Sequence, residues 1–316
     1  MPVFNSERFL AEAIESIRRQ TFTDFEFLIV DDGSTDGSLT IIRDYAKRDP
    51  RIRVFQHAEN RGQGAALNTG MARVAGNFVT GMDSDDVSLP QRLETQVNFL
   101  DARPDIGAVG VSHQNCHEDM TPYATHLLPT SHHIITFHFI LFTRTVMKSA
   151  TMMVRRSFLD FSPAFDPDIV FGRDVDHFLR LIWDKGIRYE NLPERLYLYR
   201  RHDGSQGRQL TKIMPESPKH VRCRALRRLG ERGRGAEWIV HKHPLNKLSW
   251  RERRRARRDI ARLIEAMVEH NWVDAGDEHL LLAEMKQLVE STSPRYWQMF
   301  LHWYRYRFAR HFYRRA

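Results

Sequence analysis

The sequence contains little cysteine and no long apolar segment. Its two cysteines, Cys116 and Cys223, are too few and too far apart in 316 residues for a disulfide framework or a zinc site, which indicates a reducing compartment. No run of about 20 apolar residues is present, so no membrane-spanning helix is predicted. The first ten residues lack the basic and apolar regions of a signal peptide, and we therefore expect a cytoplasmic protein.

Two common nucleotide-binding signatures are also missing. No G-x-G-x-x-G follows an apolar run and no G-x-x-x-x-G-K-[ST] occurs, which removes the main support for a dinucleotide-dependent oxidoreductase or a P-loop nucleotidase. The composition is nevertheless that of a folded enzyme-sized chain. With 41% hydrophobic and 28% charged residues, the sequence is globular rather than disordered.

Positive charge is concentrated towards the C-terminus. Residues 216–316 contain 23 Lys and Arg against 12 Asp and Glu, a net charge of +11, whereas residues 1–215 have a net charge of −3. The asymmetry indicates two segments with different partners. The basic run 251–258 opens an amphipathic helix and matches no nucleic-acid recognition motif, so no nucleic acid partner is expected. Because of the charge of the tail, a basic RNA- or DNA-binding protein remains a third alternative.

Strands and helices are predicted to alternate over the first two thirds of the chain. Short apolar runs predict strands at 25–30, 52–57, 77–83, 106–111, 151–156 and 195–202, with helical patterns at 9–17, 39–45, 65–72, 89–100 and 175–186 between them. This order is typical of an α/β protein with a mostly parallel, Rossmann-like sheet flanked by helices. Beyond about residue 216 the pattern is helical throughout.

The start of the chain is short for such a fold. Only residues 1–4 precede the first helix, whereas a central parallel strand needs about five residues. We therefore expect that the chain begins a few residues inside its natural start.

Carboxylates follow two of the predicted strands. Asp31 and Asp32 follow the run at 25–30, and Asp83, Asp85 and Asp86 follow the run at 77–83. Ligands of open α/β sheets bind beyond the carboxyl ends of the strands. Clustered carboxylates repel one another unless a cation lies among them, and Mg²⁺ or Mn²⁺ suits oxygen ligands and bridges to phosphate. The pattern therefore favours a nucleotide diphosphate as the ligand, against the simpler alternative of solvated turns.

The ordered set of motifs resembles the family 2 glycosyltransferases, which have the GT-A fold and use nucleotide-diphosphate sugars. The matching stretches are PVFN (2–5), QTFTDFEFLIVDDGSTDGS (20–38), NRGQGAALNTG (60–70), MDSDD (82–86), RRSF (155–158), FGRDVDHFLRL (171–181) and YRRHDGS (199–205). The resemblance covers roughly residues 1–210. It implies a metal-dependent, inverting transfer of a hexosyl or related group, with a UDP-sugar as the favoured donor. The implied acceptor is a hydroxyl of a glycan or lipid-linked molecule, in cell-surface polysaccharide or glycoconjugate synthesis.

The resemblance also implies a role for each matched residue. The donor-binding residues would be Pro2, Val3, Phe4 and Asn5 around the base, Asp31 and Asp32 at the base, Arg61 and Asn68 at the nucleoside, Asp83 at the ribose and sugar, and Arg200 and Arg201 at the leaving group. The metal ligands would be Asp85 and His202, with Asp86 sharing or replacing Asp85 because the spelling D-S-D-D leaves the register open.

The catalytic base is implied at the start of the helix predicted over 175–186. Asp174 occupies the position of the family's base, and Asp176 is the second choice. The family usually has Glu-Asp at this point, whereas this sequence has Arg173 before Asp174. That substitution is the only support for a second alternative, a nucleotide-sugar-binding protein without activity.

The sequence therefore predicts two regions. Residues 1–215 form a GT-A catalytic domain, with a donor half over about 1–112 and an acceptor half over about 113–215, and residues 216–316 form a basic helical region. At its end, 293–316 interleaves aromatic residues with arginines. Contact of this segment with an anionic membrane at its inner face, and packing of it on the catalytic domain, are equally open alternatives.

Overall fold

The computed structural model describes residues 1–141, 146–159, 163–170, 172–205, 217–242, 248–270 and 272–289. The strands are β1 (Pro2–Val3), β2 (Phe27–Asp31), β3 (Ile52–Gln56), β4 (Phe78–Thr80), β5 (Val87–Ser88), β6 (Ala108–Cys116), β7 (Pro122–His126), β8 (Met153–Arg155) and β9 (Tyr189–Arg200). The helices are α1 (Glu7–Arg18), α2 (Ser38–Arg48), α3 (Gln63–Met71), α4 (Arg92–Ala102), α5 (His132–Leu141), α6 (Arg173–Lys185), α7 (Ser217–Arg227), α8 (Gly230–His241), α9 (Trp250–Glu269) and α10 (Glu278–Val289).

The strands form two sheets of different character. β1, β2 and β3 pair in parallel, and the backbone N–H of Val30 also donates to the carbonyl of Met1, 2.9 Å away. The second sheet has the order β4-β8-β6-β9-β5, with β7 on β6. In it β6 and β9 are parallel, whereas β4/β8, β6/β8, β5/β9 and β6/β7 are antiparallel. The predicted α/β fold is confirmed, with the difference that four of the five strand pairs described in the second sheet are antiparallel.

Helix α1 covers the first sheet with one apolar face. Leu10, Ala13, Ile14 and Ile17 recur at helical spacing and are all buried, as the sequence pattern predicts. Their cluster includes Ile29 of β2 and Tyr197 of β9, so both sheets share this part of the core. The carboxyl ends of β1 and β2 are thereby fixed close to the end of β9.

A buried arginine joins α4 to the second sheet. The Arg92 side chain is fully buried, and its guanidinium donates to Ser88 Oγ (2.8 Å), to Thr80 Oγ1 (2.6 Å) and to the carbonyls of Gly81 and Ala150 (3.0 and 2.7 Å). It also lies 5.0 Å from the ring centroid of Tyr197. Arg92 therefore fixes the backbone immediately before the Asp83–Asp86 turn.

The C-terminal helices pack against α5 and α6. Apolar residues of α7 to α10, among them Leu226, Ile239, Ile264 and Leu281, form one buried cluster with Phe178 of α6 and other residues from the first two thirds of the chain. No helix in the described part of the chain is long and apolar enough to cross a membrane. The helix predicted over 293–316 lies outside the described residues, and the boundary near residue 215 stays a prediction.

We expect Arg92→Leu to lower the free energy of unfolding by about 3 kcal/mol or more, because it leaves several buried acceptors without a donor. Urea denaturation followed by circular dichroism measures this loss. Arg48→Leu is the control, since Arg48 is exposed on α2 and should change stability by only about 0.5 kcal/mol. Equal losses in the two variants would show that the buried network around Arg92 contributes little.

Candidate active site

A cleft of about 1610 Å³ opens at the carboxyl ends of the strands. Pro2, Val3, Phe4 and Asn5 line it, as predicted, and the Phe4 side chain is 43% exposed. Asn5 has a positive φ of 48°, and its Oδ1 accepts the backbone N–H of Thr35 at 2.8 Å. The turn after β1 is therefore held against the turn after β2, and both belong to one wall of the cleft.

Asp31, the last residue of β2, and Asp32, which follows it, have different environments. Asp32 lines the cleft, and its Oδ1 lies 2.6 Å from His57 Nδ1 and accepts the backbone N–H of Arg61 at 3.1 Å. Thr69 Oγ1 lies 2.9 Å from His57 Nε2 and completes the chain of contacts. Asp31 is fully buried and is not among the lining residues. The cleft thus presents Asp32, whose orientation is fixed by His57, a residue that the sequence analysis missed.

Arg61 and Asn68 do not line the cleft in this structure. The Asn68 amide donates to the carbonyl of Phe165 at 2.7 Å and accepts its backbone N–H at 2.8 Å, which ties α3 to the loop before α6. Arg61 is exposed and contributes its backbone N–H to Asp32. The residues of α3 that line the cleft are instead Gln63, Ala66, Leu67, Gly70 and Met71. The nucleoside contact implied for Arg61 and Asn68 stays a prediction.

The turn Asp83-Ser84-Asp85-Asp86 divides its carboxylates between the cleft and the interior. Asp83 and Asp85 line the cleft, whereas Asp86 is fully buried and its Oδ1 accepts the backbone N–H of Arg200 at 2.8 Å. The burial of Asp86 favours the register with Asp83 and Asp85, which stays a prediction. Asp86 instead fixes the end of β9 beside the turn.

The three residues at the end of β9 and just after it, Arg200, Arg201 and His202, have different environments. His202 Nε2 lies 2.9 Å from Asp85 Oδ2, as its predicted role requires. Arg200 is buried, donates from Nε to the Asp85 carbonyl at 2.8 Å, and also binds Glu12 and the carbonyl of Glu118. Arg201 is exposed beside a separate, shallower depression. Neither arginine lines the main cleft, and Arg200 cross-links the end of β9 to this turn and to Glu12. The leaving-group roles implied for Arg200 and Arg201 stay predictions.

Helix α6 brings Asp174 to the cleft. Asp174 lines it, and its Oδ1 accepts the backbone N–H of Val175 at 2.9 Å. The preceding Arg173 also lines the cleft and donates to Gln63 Oε1 at 2.8 Å. Asp176 is buried away from the cleft and forms ion pairs with Arg180 (2.9 Å) and Arg224. The second choice of base is thereby placed in a structural ion pair, whereas Asp174 faces the cavity.

Lys148 is a second cleft residue that the sequence analysis missed. It lines the cavity, and its ammonium lies 3.1 Å from the centroid of the Tyr199 ring. Desolvation lowers the pKa of Lys148, while the charges of Asp86, Asp83 and Asp174 act to raise it. No motif surrounds this lysine in the sequence, and only the pairing of the strands brings it to the cleft.

The electrostatics of the turn fit a divalent cation. Desolvation, followed by the charge of Asp85, raises the pKa of Asp83 to about 6. Burial, with the charges of Asp83 and Asp85, raises the pKa of Asp86 well above its ordinary value. Two cleft-facing carboxylates and an imidazole nitrogen are donors that Mn²⁺ and Mg²⁺ accept. The donor set and its excess negative charge thus match the metal that the resemblance implies.

The chain is similar in sequence to a known protein family and to one of its relatives. Residues 1–161, about half of the chain, match the sequence model of Glycosyl transferase family 2. A protein named as the glycosyltransferase EpsE of Bacillus subtilis (strain 168) is 32% identical over 203 residues, which are 63% of this chain and 71% of EpsE.

Solved structures share the fold. The crystal structure of S. aureus TarS 1–349 has a TM-score of 0.59 at 19% identity and covers 91% of this chain and 86% of its own, and TarS is also known in complex with UDP and UDP-GlcNAc. The mannosyltransferase PcManGT from Pyrobaculum calidifontis, in complex with GDP-Man and Mn²⁺, has a TM-score of 0.56 at 19% identity, over 96% of this chain and 83% of its own. The predicted GT-A fold is confirmed.

We expect Asp83→Asn to raise the free energy of unfolding on the order of 1 kcal/mol at about pH 8 in buffer without divalent cations. The pKa of Asp83 is about 6 in the folded protein, against 3.8 for an ordinary aspartate. The folded state therefore holds the proton more tightly, and its stability falls as the pH rises between these values. The advantage of the variant should shrink below about pH 6 and vanish near pH 4.

Urea unfolding across this pH range measures the effect. Asp105→Asn is the matched control, because the hydrogen bond from Arg103 lowers the pKa of Asp105 and its loss should not stabilise the protein. A pH-independent difference between wild type and Asp83→Asn would contradict the raised pKa.

Proposed function

The chain belongs to glycosyl transferase family 2, and from this premise we propose that it is a metal-dependent, inverting enzyme that glycosylates a hydroxyl of a glycan or lipid-linked acceptor. Transfer of a sugar from a nucleotide sugar to an acceptor follows from membership of the family. The observation that carries the finer proposal is that one cleft is lined both by Asp83 and Asp85 of the turn after β4 and by Asp174 of α6. Binding of the donor and activation of the acceptor are thereby assigned to separate carboxylates.

The donor would lie between the turns after β1, β2 and β4. Pro2, Val3 and Asp32 line the part of the cleft proposed for the base, and the contact of Asp32 with His57 supports a fixed acceptor there. Asp83, Asp85 and His202 would hold Mn²⁺ or Mg²⁺, which supplies positive charge to the diphosphate when bound. We propose a UDP-sugar as the donor. TarS binds UDP and UDP-GlcNAc, whereas PcManGT binds GDP-Man, so the base is a point for experiment.

The acceptor hydroxyl would be activated by Asp174. A hydroxyl is a poor nucleophile until a base takes its proton, and Asp174 is held at the first turn of α6 by the N–H of Val175. The hydroxyl oxygen forms a bond to the anomeric carbon while the bond from that carbon to the diphosphate oxygen breaks. The proton passes to Asp174 and the electron pair leaves with the diphosphate. Because attack and departure occur on opposite faces, the product has inverted configuration.

We expect Asp85→Asn and Asp174→Asn to separate binding from catalysis. Asp85→Asn should weaken Mn²⁺-dependent binding of the donor, because it removes a proposed metal ligand. Asp174→Asn should leave donor binding near normal and lower kcat on the order of a hundredfold or more, because it removes the proposed base. A thermal-shift screen of nucleotides and nucleotide sugars, with and without Mn²⁺, identifies the donor and gives its binding; kcat is then measured with that donor.

Two further variants make this comparison specific. Asp168→Asn changes an exposed carboxylate on the loop before α6 and should behave as wild type. Asp176→Asn breaks the buried ion pairs with Arg180 and Arg224 and should lower stability more than kcat at full folding. An Asp174→Asn enzyme with the wild-type transfer rate would reject the base assignment.

We also propose that the protein is cytoplasmic and contacts an anionic membrane surface, in the synthesis of a cell-surface polysaccharide or glycoconjugate. One face of α9 supports the contact. Trp250, Arg254, Arg258 and Arg262 recur every fourth residue, and all four are exposed, Trp250 to 60%. An exposed aromatic residue with a row of cations is typical of a helix that lies on an anionic bilayer.

We expect replacement of Arg254, Arg258 and Arg262 by Gln to weaken binding to anionic vesicles on the order of a hundredfold, at about 1 kcal/mol per arginine. Sedimentation with phosphatidylglycerol vesicles measures the partition coefficient, which should fall with salt. Replacement of Arg43, Lys47 and Arg48 by Gln is the control, because these residues are an equally charged, exposed set on α2. A chain truncated before Ser293 tests segment 293–316 separately. Equal pelleting of all forms, or none, would reject the proposal.

A further inference from the structure

The cleft contains a lysine to which the proposed chemistry assigns no role. Lys148 lies five residues before the start of β8, which pairs with β4, and its ammonium is held over the Tyr199 ring at 3.1 Å. It interacts electrostatically with Asp83 on the donor side and with Asp174 on the acceptor side. The ammonium therefore lies at the junction of the two halves of the cleft.

The arginines near the cleft are bound to other side chains of the protein. Among the described residues that line the cleft, the Lys and Arg side chains are Arg8, Lys148 and Arg173. Arg8 is mostly exposed and pairs with Glu118, while Arg173 donates to Gln63 of α3. Arg200, which the motif favoured as the cation of the leaving group, is buried against Glu12. Arg173 also interacts electrostatically with Asp83 and Asp174, but its guanidinium is bound to Gln63, whereas the Lys148 ammonium lies over the Tyr199 ring.

An ammonium in this position is suited to an anionic ligand. Its desolvation is unfavourable, and the aromatic face of Tyr199 offsets part of that cost. A diphosphate bound beside Asp83 would bring further negative charge to it. When the glycosidic bond breaks, charge grows on the diphosphate, and a cation fixed beforehand stabilises that state more than the ground state.

We propose that Lys148 binds the diphosphate of the nucleotide sugar and stabilises the charge that develops on the leaving oxygen. The inference rests on the proposed function of the cleft and adds to it a catalytic residue. The lysine donates a hydrogen bond from its ammonium and transfers no proton. The electron pair of the broken bond stays on the diphosphate, and the acceptor's proton still passes to Asp174.

Three variants test the proposal. Lys148→Met keeps an apolar stem without the charge, Lys148→Arg restores the charge, and Lys47→Met makes the same change at an exposed position on α2. The measurements are kcat and KM with the donor from the screen, and calorimetric Kd values for uridine, UMP, UDP, guanosine and GDP at saturating Mn²⁺. Lys148→Met should lower kcat by at least about tenfold and weaken the nucleoside diphosphate far more than the nucleoside. Lys148→Arg should recover part of both losses, and Lys47→Met should match the wild type.

Each contrary result has a distinct meaning. An unchanged kcat in Lys148→Met, or equal weakening of nucleoside and diphosphate, would overturn the role of Lys148 while the proposed function stands. Full recovery of Lys148→Met by higher Mn²⁺ would also overturn it, because the lysine would then only neutralise the carboxylates. A wild-type protein that binds neither UDP nor GDP and turns over no nucleotide sugar would overturn the proposed function together with this inference.

Discussion

Mutual repulsion among carboxylates is the constraint around which the cleft is organised. Asp83, Asp85 and Asp86 follow one another within four residues, and desolvation and this proximity raise the pKa of both Asp83 and Asp86. The turn is held in place by its surroundings: the backbone N–H of Arg200 binds Asp86, and Arg92 binds the backbone of Gly81. The rest of the protein thus stabilises a concentration of negative charge, which becomes favourable when a cation binds there.

Those stabilising contacts explain why the basic residues were harder to assign than the acidic ones. The sequence places Arg200 and Arg201 beside His202, but it does not show which way each side chain points. Neighbouring residues of a strand point to opposite faces, and Arg200 points inward, towards Glu12. Lys148 has no motif around it. It reaches the cleft through pairing of β8 with β4 and β6, which are distant in sequence.

Local pattern was sufficient for much of the fold. The apolar stripe of α1, the parallel strands β2 and β3, and the carboxylates at the ends of β2 and β4 all follow from periodicity and from where the runs stop. The antiparallel pairs of the second sheet did not follow, because they depend on register between distant segments. The motif ranks Asp174 before Asp176 and leaves the register of Asp85 and Asp86 open. Only the environment of each side chain shows which of these carboxylates line the cleft.

The C-terminal helices contact the first turn of α6, which contains Asp174. Arg224 of α7 pairs with Asp176, and the neighbouring Arg222 is buried, with its Nε 3.2 Å from the carbonyl of Phe139. Burial lowers the pKa of Arg222 to about 9, whereas the charge of Asp174 acts to raise it. Helix α7 therefore fixes helix α6 through Asp176 in its first turn. Asp174, in the same turn, remains at the cleft. The base that we propose at Asp174 must be held within about an ångström of its working position. The contacts of α7 with α6 would serve that positioning, although the sequence motifs end before α7.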